Sequence, residues 1–523
     1  MKPRNLAIAF ALTLAAGGVA ACSDELVENP KSFITTDNYF KTPADVESAA
    51  LGMYGLFYDW NMYKVQQWWT FELAADQGKF HPDEPNEETR SPEYLNWTST
   101  SRDAIQPWKM HYWNIQRANL VVDKAQAVTF SDATKQTALV AEGKFMRAYD
   151  YFWLARAYGG VPLYTSLDAQ AKSDQGRATE AEVIDQVIKD ASDAAEGLPA
   201  TRSGLELGRA TSGAALTLLA DAYRWKANVI SHAQADWTAS AAAAKKVIDG
   251  GHYSLNNDYL AAFLPGSQNR PEEIFAAQAH AGGGWFQTSA YGTTFFPRNN
   301  PRIEGWAVVS PTPEFYNSYV PGDYRHDVTF WTKGCANGAD ASACPNTGGD
   351  TVIKWSPLTD ARFPDGYPHV HKYRPSDGGV NLYGNDVNTQ LYRYADVLLL
   401  YAEAEANLGN AAEALNYVNM IRARARKGAS GAENRTSPAD LSGLSGTALI
   451  DAIYQERSWE LSYELGKRWF DLVQRGPQYF TAQLLANDPL SNFRNNVNEV
   501  HMRLPIPLEE IQKNPAITQN PGY

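Results

Sequence analysis

The feature that most constrains this chain is its succession of long helix-forming stretches joined by short connections. Residues 104–129 pair with 132–157, 179–196 with 209–230, and 390–408 with 411–427. In the first stretch Ile105, Trp108, Tyr112, Ile115, Ala118 and Val122 recur at intervals of three and four, the period of one buried helix face. Its partner carries Leu139, Phe145, Tyr149, Phe152 and Leu154 and stops at Gly159-Gly160. Small residues such as Ala148, Ala157, Ala215, Ala220, Ala402 and Ala414 let neighbouring helices approach closely. The expected fold is mainly α, a tetratricopeptide-like helical array, although the spacings are irregular and no strict repeat is visible. Thr42-Pro43-Ala44-Asp45 supplies a capped start for the first helix.

Residues 250–389 read differently. They are rich in Gly, Pro, Asn, Asp and aromatics, with few helical runs, and are expected to form long loop-rich insertions on the helical frame. Loops on a rigid frame are where ligand sites concentrate. With 15 Trp, 28 Tyr and 20 Phe, the aromatic load exceeds what packing requires and points to contact surfaces. Two places stand out. In WNMYKVQQWW, Trp60, Tyr63, Trp68 and Trp69 lie among polar residues without a clean period. In the loop-rich part, three glycines precede Trp285 and Phe286, and Trp306 follows. An exposed ring can stack on the C–H face of a sugar while nearby polar groups bind its hydroxyls; buried core is the other reading for each ring. The glycine run lacks the Lys-Ser/Thr ending of a phosphate loop. Asp386 and Asn385 could bind calcium, but no full calcium loop surrounds them, and no metal or cofactor is expected.

The stretch Ile453–Gly476 reads as a central helix, interrupted only by Gly466, that other elements contact on several sides. Glu456, Glu460 and Glu464 recur one turn apart, and Glu464 can reach Arg468 at i,i+4. Arg147, Arg156, Arg393 and Glu403 fit internal pairing better than acid–base work, and Asp323 with Arg325 reads as an ion pair or loop anchor. No metalloprotease or nucleophile-elbow motif occurs, so capture is favoured over turnover. A net charge of -13 disfavours a nucleic-acid partner.

Residues 1–21 read as an export signal: Lys2 and Arg4, an apolar run from Leu6 to Ala16, then small residues before Cys22. That run is too short to remain as a membrane span. The boundary resembles a bacterial lipobox, which would make Cys22 the lipid-bearing first residue. Cys335 and Cys344 then remain, and in an oxidising compartment they are expected to form a small disulfide.

Several blocks together resemble the SusD/RagB family of outer-membrane lipoproteins. Pro30, Ser32, Thr36, Tyr39, Phe40, Asp45, Glu47, Ala50, Gly52 and Tyr54 match its opening, and AEGKFMRAYDYFWLARAYGGVPL its early motif. LYRYADVLLLYAEAEANLGN, ERSWELSYELGKRWFDLVQRG and the ending RLPIPLEEIQKNPAITQNPGY match the later ones. The resemblance covers essentially the chain after the signal: one SusD-like domain over 22–523, with parts at about 22–230, 250–389 and 390–523 packed together. It implies a lipid-anchored protein on the outer face of the outer membrane. Such a protein binds oligosaccharide, or peptide in the RagB-like branch, and delivers it to a TonB-dependent SusC-like transporter. A surface glycan-degrading enzyme is the remaining alternative. The resemblance places ligand aromatics in the two loop regions named above, by region and not residue by residue.

Overall fold

Thr42 opens the first helix, Pro43–Gly55, as its sequence predicts: its N–H and hydroxyl both donate to the Asp45 carboxylate, at 2.7 and 2.8 Å. The computed structural model describes residues 39–523 except 65, 82–86, 173, 265, 267, 281–287, 290, 297–304, 332–367, 374–385, 429–430, 432–434 and 488–496. At residues 64, 66–68, 87–88 and 331 it describes the backbone alone. Cys22, Cys335, Cys344, Trp285, Phe286, Asn385 and the ring of Trp68 therefore lie outside the described residues.

The expected array is present. Helices Arg102–Ala127, Ala133–Tyr158, Glu180–Gly197, Ser212–Trp225, Gln234–Gly250 and Tyr394–Asn407 each pack against the next. Ala411–Ala425 and Gly446–Glu460 then cover Tyr394–Asn407, and Pro43–Gly55 packs on the first pair. Alanine sets the close spacing: Ala118, Ala148, Ala155, Ala191, Ala215, Ala220 and Ala402 are fully buried. Gly143 goes further, since a Cβ there would meet Val122 Cγ2 at 2.8 Å. Among the described residues no helix is long and apolar enough to cross a membrane.

The chain leaves the array after Gly250 and returns at Tyr394. The ends of this excursion are tied by an antiparallel pair, Glu273–Ala277 with Thr389–Arg393, and the second strand runs directly into the returning helix. Inside the excursion a second core forms from Tyr259, Phe263, Tyr291, Phe295, Phe315, Tyr319, Phe330 and Tyr373. Leu73 and Phe80 join it from the early chain, and Trp459 and Tyr463 from the late one.

The stretch 453–476 departs from the expected single helix. Helix Gly446–Glu460 ends, a turn follows, and Lys467–Gln474 begins anew. Tyr463, Leu465 and Gly466 in that turn have positive φ, of 55°, 56° and 68°. Glu464 consequently does not pair with Arg468, whose guanidinium holds Asp76 at 2.6 Å. Two causes favour the break. Phe71 leaves no room at Gly466, where a Cβ would lie 2.4 Å from Phe71 Cβ, and the Gly466 N–H donates to Glu72 Oε1 at 2.7 Å. Moreover, a helix end exposes carbonyls that lack partners within the helix, and here the excursion supplies the donors. Tyr259 Oη donates to Glu460 O at 2.8 Å, Tyr319 Oη to Trp459 O at 3.1 Å, and Tyr373 Oη to Tyr463 O at 3.1 Å. Lys372 Nζ reaches Ser462 O at 2.9 Å and Arg393 Nη2 reaches Glu460 O at 2.7 Å, two cations at the negative end of the helix dipole.

A buried charge network fixes the same junction. Arg393 bridges Glu272 at 2.8 Å, Glu460 at 2.7 Å and Glu464 at 2.9 Å. Arg325 holds Asp323 at 2.6 Å and Glu456 at 2.7 Å, Lys372 holds Glu464 at 2.6 Å, and Arg424 pairs with Glu272 and Glu460. The three glutamates at helical spacing are therefore docking points for the excursion, not a solvated face.

Candidate functional site

Aromatic rings from the two regions singled out in the sequence meet where the excursion lies against the early chain. Trp60 follows the short turn Leu56–Tyr58 and starts the irregular turn Trp60–Lys64. Trp306 sits just before strand Val309–Pro311. Their ring centroids are 5.3 Å apart at 49°, both rings are half-buried, and both pack on the second core.

The main chain around Trp306 is closely specified. Its N–H donates to Thr293 O at 2.7 Å, and the N–H groups of Ala307 and Val308 donate to Phe296 O at 2.9 Å and Thr294 O at 2.7 Å. Gly305 is required by this approach, because a Cβ there would lie 2.2 Å from Phe296 O. Ala307 takes φ of 49°, which a side chain rarely adopts, and such backbone persists only when its surroundings fix it. Next in the chain, the N–H of His81 donates to Val308 O at 2.9 Å, and the His81 ring stacks on His369 at 4.4 Å. Burial lowers His369 to about 4 despite its bond to the Phe295 carbonyl, so the His369 ring is neutral at physiological pH.

Beside Trp60 the chain presents polar groups. The Asn61 N–H donates to Asp59 Oδ1 at 2.9 Å, and Arg102 Nη2 donates to Asn61 Oδ1 at 3.1 Å. A carboxylate and an amide flanking Trp60 in the chain, with a guanidinium bonded to the amide, supply both donors and acceptors in this stretch. That combination suits a ligand with an apolar face and a hydroxylated edge.

The other described candidates lie deeper. Tyr63 is 2% exposed and packs edge-on against Phe57 at 4.9 Å; Trp69 is 9% exposed and belongs to the second core. Both rings are packing residues beneath the Trp60 turn. No period is visible there, because the stretch passes from an irregular turn into helix Gln66–Ala74 within a few residues.

The ionisable residues that drew attention are internal partners. Arg147 holds Asp190 at 2.8 Å and donates to Thr165 O at 2.6 Å; Arg156 lies over the Phe152 and Phe470 rings, 4.0 and 4.3 Å from their centroids. Glu403 accepts from Arg224 at 2.5 Å, and Asp323 and Arg325 form the ion pair foreseen for them. Burial would raise Glu460, but Arg424, Arg393 and Arg325 together hold its carboxyl well below the usual range. Glu464 is likewise depressed against burial, by Arg393 and Lys372. Burial does push Glu72 up to about 8, against the bond from Gly466, but it is an interior side chain at 1% exposure. None of these carboxyls faces its like across a cleft, as acid-assisted glycoside cleavage requires.

Comparison with known proteins places this geometry in context. Residues 271–523 match the family model described as the SusD family, and residues 28–223 match the one described as "Starch-binding associating with outer membrane". The chain is 28% identical to "SusD-like protein P2" of Formosa agariphila, over 97% of both chains. A solved SusD homolog from Bacteroides thetaiotaomicron superposes with a TM-score of 0.78 at 23% identity, covering 93% of this chain and 98% of the other. A structure described as a "Laminarin binding SusD-like protein" does so with a TM-score of 0.71 at 23% identity, covering 92% and 100%.

Proposed function

The chain belongs to the SusD/RagB family, and from that premise we propose that it captures oligosaccharide at the cell surface and passes it on unchanged. The observation that carries this reading is the half-buried Trp60–Trp306 pair, with centroids 5.3 Å apart. The pair unites two stretches distant in sequence; Asp59 and Asn61 flank Trp60 in the chain, and Arg102 is bonded to Asn61. A sugar ring stacked on such a pair gains from the large apolar area that indole presents. Several weak contacts along a chain then add to a useful but releasable affinity. Relatives described as binding glycans, among them the laminarin-binding protein and a surface glycan-binding protein from Bacteroides fluxus, support the ligand class. In this proposal Trp68, Trp285 and Phe286 extend the platform, and Cys22 carries the lipid that holds the protein to the outer membrane. A SusC-like TonB-dependent transporter receives the cargo.

The test is calorimetric titration of the purified chain with a panel of glycans and peptides, alongside Trp60→Ala and Trp306→Ala. Glycan binding that either substitution weakens about tenfold supports the reading. Binding of peptides alone, or hydrolysis of the glycan by the isolated protein, overturns it.

A further inference from the structure

Helix Arg102–Ala127 carries a second aromatic feature that glycan capture at Trp60 and Trp306 does not use. Trp113 is 51% exposed, the one exposed tryptophan among the described residues. It stands eleven residues along the helix from Arg102, hence about 16 Å away by helical rise. A single exposed apolar residue would need no explanation. Trp113, however, edges a cleft of about 410 Å³ formed with Tyr112, Tyr164, Gln170, Lys109, Glu510 and Lys513. That volume lies within the roughly 300–1,000 Å³ typical of small-molecule sites.

The cleft is built, not improvised from mobile side chains. Tyr112 Oη donates to Pro162 O at 2.7 Å, and its ring meets Tyr164 edge-on at 6.1 Å. The Tyr164 main chain is held from both sides, its N–H donating to Tyr151 Oη at 2.6 Å and its carbonyl accepting from Asn119 Nδ2 at 3.1 Å. Gln170 Oε1 receives no hydrogen bond within the protein, an unmade bond that a ligand hydroxyl can supply once the amide turns toward the cleft. The C-terminal helix Leu508–Lys513 brings balanced charges to the rim: Lys109 with Glu509 at 2.8 Å, and Lys513 with Glu510 at 3.0 Å. Two cations beside two carboxylates leave no net field to attract an ion. They do set donors next to acceptors, as vicinal hydroxyls require.

We infer that this cleft is a second binding site, taking a neutral pyranose unit of a glycan chain. The sugar stacks on Trp113 and its hydroxyls engage the Lys109–Glu509 and Lys513–Glu510 pairs. Two separated sites on one receptor would hold a long glycan by avidity, each contact remaining weak.

The inference is tested by fluorine NMR on the full chain labelled with 5-fluorotryptophan. The Trp113 and Trp306 signals are assigned with Trp113→Phe and Trp306→Phe. Laminarihexaose, maltohexaose, cellohexaose, xylohexaose and mannohexaose are titrated to millimolar concentration, with an anionic galacturonate hexamer as control. The Trp113 signal is expected to shift with at least one neutral hexamer. The shift should persist in a Trp60→Ala/Trp306→Ala protein and need about five- to tenfold more ligand in Lys109→Ala. A Trp113 signal unmoved by every neutral hexamer, or moved only by the anionic one, overturns the inference. If Trp306 responds while Trp113 stays still, the second site fails and the first stands; the converse removes the first site alone.

Discussion

The helical array and the 251–393 excursion solve the same problem, burial of apolar surface, with different residues. In the array Ala148, Ala155, Val187, Leu218, Leu398 and Leu472 are sealed between regular helices whose backbone bonds are satisfied within each element. In the excursion the interior is mostly tyrosine and phenylalanine, and the tyrosine hydroxyls finish hydrogen bonds that a broken helix leaves open. The array can therefore fold on local pattern, whereas the excursion depends on a junction at residues 456–466 that distant parts of the chain build together. The proposed ligand platform divides along the same line: Trp306 is presented by the excursion, and Trp60 by the frame against which it rests.

The largest effect should come from Arg393→Ala, which leaves Glu272, Glu460 and Glu464 buried without their shared cation. Breaking a buried pair in this way costs about 3–5 kcal/mol. Urea unfolding followed by circular dichroism should show that loss, and a change below about 1 kcal/mol would mean that the junction does not hold the two regions together.

Next comes Gly466→Ala. Its φ of 68° and the Phe71 side chain against it predict a loss of about 1–3 kcal/mol. Phe71 belongs to the array core and Glu72 bonds the Gly466 N–H. Near-neutral behaviour in the same unfolding assay would show that the turn adapts and that array and excursion are joined less rigidly at Gly466.

A smaller, graded effect should appear in acid. Asp471, on Lys467–Gln474, is gripped by two array helices: burial would raise its carboxyl, but Arg457 and Arg224 hold it down at about 2, against 3.8 ordinarily. Because its folded value is the lower one, the stabilisation is complete above about pH 4. It is lost as pH falls toward 2. Asp471→Asn should flatten that part of the stability–pH curve, and an unchanged acid limb would contradict the assignment.

The sequence revealed the array well, because three- and four-residue recurrence reports burial on a helix face directly. It identified Arg147, Arg393, Glu403 and the Asp323–Arg325 pair as internal, since charges on helices otherwise full of buried positions must find partners. It failed at 461–466, where nothing local distinguishes a helix from a turn stabilised by Phe71, by Glu72, which lies 394 residues before Gly466, and by tyrosines of the excursion. The aromatic candidates divided for a similar reason. Trp60 and Trp306 meet half-buried at the boundary of the two regions, while Tyr63 and Trp69, a few residues on, turn inward. Trp113 is not legible in the sequence because it sits on a helix whose other aromatics, Trp108 and Tyr112, recur at helical spacing.

Capture by the ring pair is tested by the affinity of one identified glycan for the wild-type chain and for Trp60→Ala/Trp306→Ala, measured by calorimetry at equal thermal stability. Capture by the ring pair predicts a loss of at least about tenfold, with no turnover of the glycan during the titration. Equal affinity in the two proteins would contradict it.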